Sequence, residues 1–205
     1  MSALRPRHVI WISTDHMRYD CIGAHGNPAI HTPNLDRLVA GGVTLENCYG
    51  QNPLCMPSRA SFMTGQYPCR TGVLSNGQEL APDYEPVAPQ SFSSAGYETA
   101  QIGKLHLQCH NEMDLDPRPS ADYGFDYMAL SEEPGCYEDA YVRWLRAWHP
   151  EHERTMRVPR PFQRMQEGEE IGCRAVDAPA EVSQAGFVAS HTMQYLRNAG
   201  SAFVH

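Results

Sequence analysis

Apolar and polar positions fall along this chain in blocks that read in turn as strand and helix. Residues 8–14, "HVIWIST", are an apolar run ending in small polar residues, the pattern of a buried parallel strand. "HTPNLDRLVAGG" then predicts a helix. Thr32 is its N-cap, Pro33 its first position, Leu35, Leu38 and Val39 share one face, and Gly41-Gly42 is the stop. A second strand is expected over 43–49, "VTLENCY". A short helix follows, with Pro57 suited to its first position, Cys55 at or just before its start, and Gly65 as its stop. Residues 65–89 are rich in Gly and Pro and read mostly as loop. "PQSFSSAGYETAQIGKLHL" predicts a short helix to about Ala95, a stop at Gly96 and a strand over 97–102.

Residues 108–136 read as irregular apart from a short strand at "FDYMAL". An amphipathic helix is expected over 137–148, a charged surface excursion over 149–180, and a long helix over 180–200 ended by Gly200. "SAFVH" opens one more strand, expected to leave an exposed edge. Alternation of this kind predicts an α/β fold with a mostly parallel sheet flanked by helices. In such sheets ligands bind beyond the carboxyl ends of the strands. Asp15 follows the first strand-like run, and Lys104 and His106 follow the strand ending near 102.

Composition narrows the picture only slightly. The 205 residues suffice for one sizeable domain or part of a larger one, and 41% hydrophobic content is ordinary for a globular protein. A net charge of −8, from 16 basic and 24 acidic residues, gives no support to nucleic-acid binding but leaves room for a local cationic pocket. The apolar run after "MSALRPR" is too short for a signal-peptide core or a membrane span, so a cytoplasmic location without a membrane partner is expected. The cysteines at 21, 48, 55, 69, 109, 136 and 173 are odd in number and lack C-x-x-C pairs. Most are expected to be reduced and structural.

One cysteine carries more. In "NPLCMPSRASFMTG", Cys55 meets the free N–H groups at a helix start, and Arg59 lies about one turn further on. This suggests anion chemistry. Two plain readings stand beside it: a small buried hydrophobe, or a thiolate nucleophile activated by the helix end and Arg59. The Cys-to-Arg spacing is shorter than that of a cysteine phosphatase loop.

"CMPSRASFMTG" resembles the C-x-P-S-R and T-G signature of the formylglycine-dependent sulfatase family, within the alkaline phosphatase superfamily. "IWISTDHMRYD" is similar to the family's first strand and metal loop, "HGNPAIHTPNLDRLVAGGVTLENCY" to its T-P-N-L-D-R-L helix and next strand, and "GYETAQIGKLHL" to its G-K-x-H-L segment. The resemblance is dense over about residues 8–110. It implies that the chain is the N-terminal part of a sulfatase catalytic domain. The metal loop would lie at 13–20, the formylglycine motif at 55–65 and the Lys/His motif at 103–107.

By that resemblance, Cys55 is the precursor of formylglycine and a formylglycine-generating enzyme is a partner. Asp15 and the converted Cys55 are metal ligands. His16 stands where the family often has a second Asp. It implies either a ligand that suits Mn²⁺ or Zn²⁺ better, or a residue outside the coordination sphere, in a site otherwise expected to hold Ca²⁺, with Mg²⁺ or Mn²⁺ as alternatives. Arg59 holds the formylglycine, Lys104 contacts the diol and the sulfate, and His106 is the base, expected on the same side of a strand-like stretch as Lys104. The implied activity is hydrolysis of a small sulfate ester. Hydrolysis of a phosphonate monoester or phosphodiester is the alternative, and an inactive truncated fragment a third reading. A further Asp with Asn or His is expected from a segment later than those quoted, so the 205 residues alone are expected to be inactive.

Overall fold

The computed structural model describes residues 7–109, 121–133, 137–157 and 176–205. Much of the stretch expected to be irregular, much of the charged excursion, and Cys136 and Cys173 lie outside the described residues. Strand β1 (His8–Ile10) leads through two single 3-10 turns to α1 (Pro33–Gly41), α2 (Cys55–Thr64), α3 (Pro68–Thr71) and α4 (Ala88–Ser94). Strands β2 (Glu98–Gly103) and β3 (Tyr127–Leu130), helices α5 (Ala140–Trp148), α6 (Pro150–Met156) and α7 (Gln184–Asn198), and strand β4 (Ala202–Val204) complete it.

The four strands form one parallel sheet in the order β1-β4-β2-β3. Phe203 is the partner of Val9 on one side and of Thr99 on the other. Alternation along β4 sends Phe203 to one face and Ala202 and Val204 to the opposite one. The Phe203 face packs under α2 and α4, where its ring stacks on Phe92 with centroids 4.0 Å apart and lies 6.5 Å from Phe125. Beneath the other face, α5 and α7 bring Tyr141, Val142, Leu145 and Phe187 against Ala100, Ile102 and Val204. Both faces are covered, as a parallel sheet requires.

Several expectations are corrected. The segment 8–14 is not one buried strand. The ladder stops at Ile10, with one further bond from the Trp11 N–H to the Val204 carbonyl (2.8 Å), and Ile12 is 79% exposed because β1 lies at the sheet edge. No strand forms over 43–49; Val43 is 91% exposed and no described strand lies alongside it to complete a ladder. "SAFVH" is not an exposed edge, since β4 sits between β1 and β2 with all three residues buried. Helix α2 begins at Cys55 itself, with Leu54 as N-cap and Pro57 in the third position. A short helix, α3, interrupts the stretch read mostly as loop. Cys48, Cys69 and Cys109 are free and exposed rather than part of the core. The Thr32 N-cap and Pro33 stand as expected, but the Thr32 hydroxyl donates to Asp36 Oδ1 (3.0 Å) and accepts from the Gly23 N–H (2.8 Å) instead of capping a helical N–H.

Asp139 caps α5, accepting from the Val142 N–H (3.0 Å) and the Glu132 N–H (3.3 Å). Burial pushes its carboxyl up to about 6, against the pull of those N–H groups. A carboxyl whose folded pKa is raised stabilises the fold below about pH 4, and that contribution is lost as pH rises to about 6. Asp139→Asn should therefore gain on the wild type by about 2 kcal/mol between pH 4 and pH 7, measured by urea unfolding at both pH values. A Phe203→Ala substitution should cost about 3–5 kcal/mol in the same assay, since it empties the stack between Phe92 and the sheet.

Candidate active site

Because all four strands are parallel, their carboxyl ends open at one edge of the sheet, and the polar residues that follow them meet there. Asp15 and His16 follow β1, Lys104 follows β2, Glu132 and Glu133 follow β3, and His205 follows β4. Helix α2 brings its N-terminal residue, Cys55, to the same place. Gly103 has φ of +101°, a conformation that L side chains rarely adopt, which turns the chain from β2 toward Lys104.

Asp15 is the hub. Its Oδ1 lies 3.9 Å from Cys55 Sγ and 3.7 Å from His16 Nε2, while Cys55 Sγ and His16 Nε2 are 3.5 Å apart. Its Oδ2 accepts from Lys104 Nζ at 2.9 Å. Burial alone would raise the Asp15 carboxyl, but the Lys104 hydrogen bond and the charges of Lys104, Arg59 and His16 hold it below the usual carboxylate range. Lys104 also donates to Glu133 Oε1 at 2.6 Å. Burial alone would lower its ammonium, and the two carboxylates reverse this and raise it. Lys104 therefore stays charged at neutral pH.

Arg59 is buried, one turn into α2. Its guanidinium donates to the Lys104 carbonyl at 2.6 Å and stands 3.9 Å from Asp15 Oδ1. It thus ties the helix that carries Cys55 to the loop that carries Lys104. The expectation for His106 is corrected in one respect. β2 ends at Gly103 and His106 has φ of +49°, so no strand alternation places it on the Lys104 side. Its backbone N–H and that of Leu105 both donate to Glu132 Oε1, at 3.1 and 3.2 Å. Glu132, Glu133 and His205 were not among the expected site residues; "SEE" directly after the β3 strand was the signal that could have marked the first two.

The donor set can hold a cation. Two ligands bonded to one metal ion at roughly 2.0–2.3 Å stand roughly 3–4 Å apart. Asp15 Oδ1, His16 Nε2 and Cys55 Sγ form a triangle with sides of 3.5–3.9 Å. They are the one such group among the described residues. A cavity of about 640 Å³ opens beside Asp15 and Lys104 and runs under α7, walled by Ile12, Val188, Met193 and Leu196.

The family model described as Sulfatase matches residues 7–168. The chain belongs to the sulfatase family. It is 40% identical over 138 residues to the steryl-sulfatase of Homo sapiens, covering 62% of this chain and 23% of that protein. To the arylsulfatase of Clostridium perfringens it is 40% identical over 146 residues, covering 68% of this chain and 30% of the relative. The sulfatase fold extends further: the crystal structure of the phosphonate monoester hydrolase of Agrobacterium radiobacter superposes with a TM-score of 0.73 at 26% identity, over 98% of this chain and 40% of that one. The chain thus spans about a quarter of the length of the curated sulfatases that it matches.

Arg59→Ala should remove the tie between α2 and the Lys104 carbonyl and cost about 2 kcal/mol in urea unfolding. Arg59→Lys should recover little of it, because one ammonium cannot reproduce a guanidinium fork that serves both Lys104 and Asp15. Full recovery with lysine would show that charge alone suffices.

Proposed function

We propose that the protein hydrolyses a sulfate monoester, using formylglycine made from Cys55 together with a divalent metal ion. The observation that carries this reading is the meeting of Asp15, His16 and Cys55 with the cations of Arg59 and Lys104 at the start of α2. In the conversion of Cys55, its CH₂SH and water become an aldehyde and sulfide, and two electrons and two protons pass to an acceptor that a formylglycine-generating enzyme supplies. Hydration of the aldehyde gives a geminal diol.

Asp15 and His16 would hold the metal together with one oxygen at position 55. Oxygen donors suit Ca²⁺ or Mg²⁺, and the imidazole of His16 favours Mn²⁺. Such a cation lowers the pKa of an oxygen bound to it and offsets charge that develops nearby. One diol oxygen attacks sulfur and the alcohol leaves with a proton. Lys104 and Arg59 offset the charge on the sulfuryl oxygens. The second hydroxyl then loses its proton to a base, the carbon–oxygen bond to sulfate breaks, the aldehyde re-forms and sulfate departs. We assign the base to His106, on the likeness of "GKLHL" to the sulfatase G-K-x-H-L segment. Serine at position 55 could perform the attack but not this elimination.

A second reading has one observation in its favour. The phosphonate monoester hydrolase superposes along nearly the whole chain, and the same cationic set would serve a phosphonate oxyanion. Protein made beside a formylglycine-generating enzyme should yield a residue 55 peptide lighter by the difference between CH₂SH and CHO, seen by tryptic mass spectrometry. In a form that also carries the further Asp with Asn or His expected from a later segment, it should turn over an aryl sulfate faster than an aryl phosphonate monoester, and Cys55→Ala should abolish both activities. An unmodified Cys55 under those conditions would count against the formylglycine reading, and the reverse substrate order against the sulfate one.

A further inference from the structure

A second polar set lies behind the Asp15 loop. His205 extends the β4 ladder: its N–H donates to the Ala100 carbonyl at 2.9 Å, and its carbonyl accepts from the Ile102 N–H at 2.8 Å. Its ring is buried, with Nδ1 2.6 Å from Gln101 Oε1 and Nε2 2.9 Å from Ser13 Oγ. An amide oxygen only accepts, so Nδ1 carries the proton and Nε2 offers its lone pair to the Ser13 hydroxyl. Trp11 and Phe62 set their rings against the imidazole at centroid distances of 6.1 and 5.4 Å, which fixes its plane. Burial, aided by the positive charge of Arg59, keeps the ring neutral at ordinary pH, so this tautomer persists.

The Asp15 loop needs such a tether. Ladder bonding ends at the Trp11 N–H, Ile12 lies largely exposed at the open cavity, and residues 11–14 belong to no helix or strand. Ser13 is two residues from Asp15, so a hydroxyl fixed to the β4 and β2 framework limits where the carboxylate can go. The Lys104 ammonium on Asp15 Oδ2 and the Arg59 guanidinium 3.9 Å from Oδ1 hold the carboxylate rather than the loop backbone.

We propose that Gln101, His205 and Ser13 form a latch that positions Asp15 Oδ1 for the metal ion. Ser13 and His205 are positioning residues; they act through the Asp15 loop and not on the ion. This rests on the metal reading above.

The test is a calorimetric titration of the whole protein with Mn²⁺, beside thermal unfolding without metal. Ser13→Ala deletes the hydroxyl. His205→Asn keeps a polar group at the Nδ1 place but none at the Nε2 place, whereas His205→Gln keeps one at the Nε2 place. Ser13→Ala and His205→Asn should each weaken Mn²⁺ binding roughly tenfold, as groups that orient metal ligands commonly do. The double variant should be no weaker than either single one, because both break the same link. His205→Gln should recover most of the affinity, and the loss in Ser13→Ala should be seen at temperatures where the metal-free variant is still fully folded. Wild-type Mn²⁺ affinity in Ser13→Ala, additive losses in the double variant, or no recovery with His205→Gln would each overturn the latch alone. Failure of the wild-type protein to bind Mn²⁺ would overturn the metal reading and the latch with it.

Discussion

Strand β4 lies between β1 and β2, and the arrangement of the site depends on that placement. The strands that carry the Asp15 and Lys104 loops share no ladder with each other; each is bonded to β4. Phe203 pins this insertion, since its side chain fills the Phe92 face while its backbone faces Val9 on one side and Thr99 on the other. The ion pair between Asp15 and Lys104 spans 89 positions of sequence and forms because β4 holds the two strand ends side by side. Arg59 then fastens α2 to the Lys104 carbonyl, which fixes the reach of Cys55 toward Asp15.

The charges at this edge are arranged around that constraint. Asp15 divides its two oxygens, one toward His16 and Cys55 and one toward Lys104. Lys104 is in turn shared with Glu133, so its cation is flanked by two carboxylates. An anion approaching Lys104 therefore meets one cation partly offset by Asp15 and Glu133, and a second, Arg59, that is buried.

Local pattern made the helices and the longest strand legible, since α5 and α7 each turn one face to the core and β2 is a run buried on both faces. The Asp15, Cys55 and Lys104 positions were legible too, because each lies at a strand end or a helix start within a recognisable motif. What failed was information that sits outside the local stretch. Residues 43–49 carry a strand-like pattern, yet a strand exists only against a partner, and no described strand adjoins them. "SAFVH" looked like an edge because no local feature says which strands will flank it. The left-handed backbone at His16 and His106 is equally invisible in residue type, as the wider fold imposes it and histidine merely tolerates it. Glu133 and His205 belong to no expected motif. They matter through partners 29 and 192 residues away in sequence.

The burial of α2 has a consequence for timing. Met56, Pro57 and Arg59 face inward in the folded chain, so these side chains are out of reach of any other protein once the helix has docked. Complete packing of α2 in turn awaits Phe203 of β4, which leaves the ribosome about 150 residues after Cys55. At roughly 5–20 residues per second, synthesis takes about 7–30 seconds to cover that distance. The same long-range pairing that completes the sheet therefore sets the interval during which position 55 remains within reach of another protein.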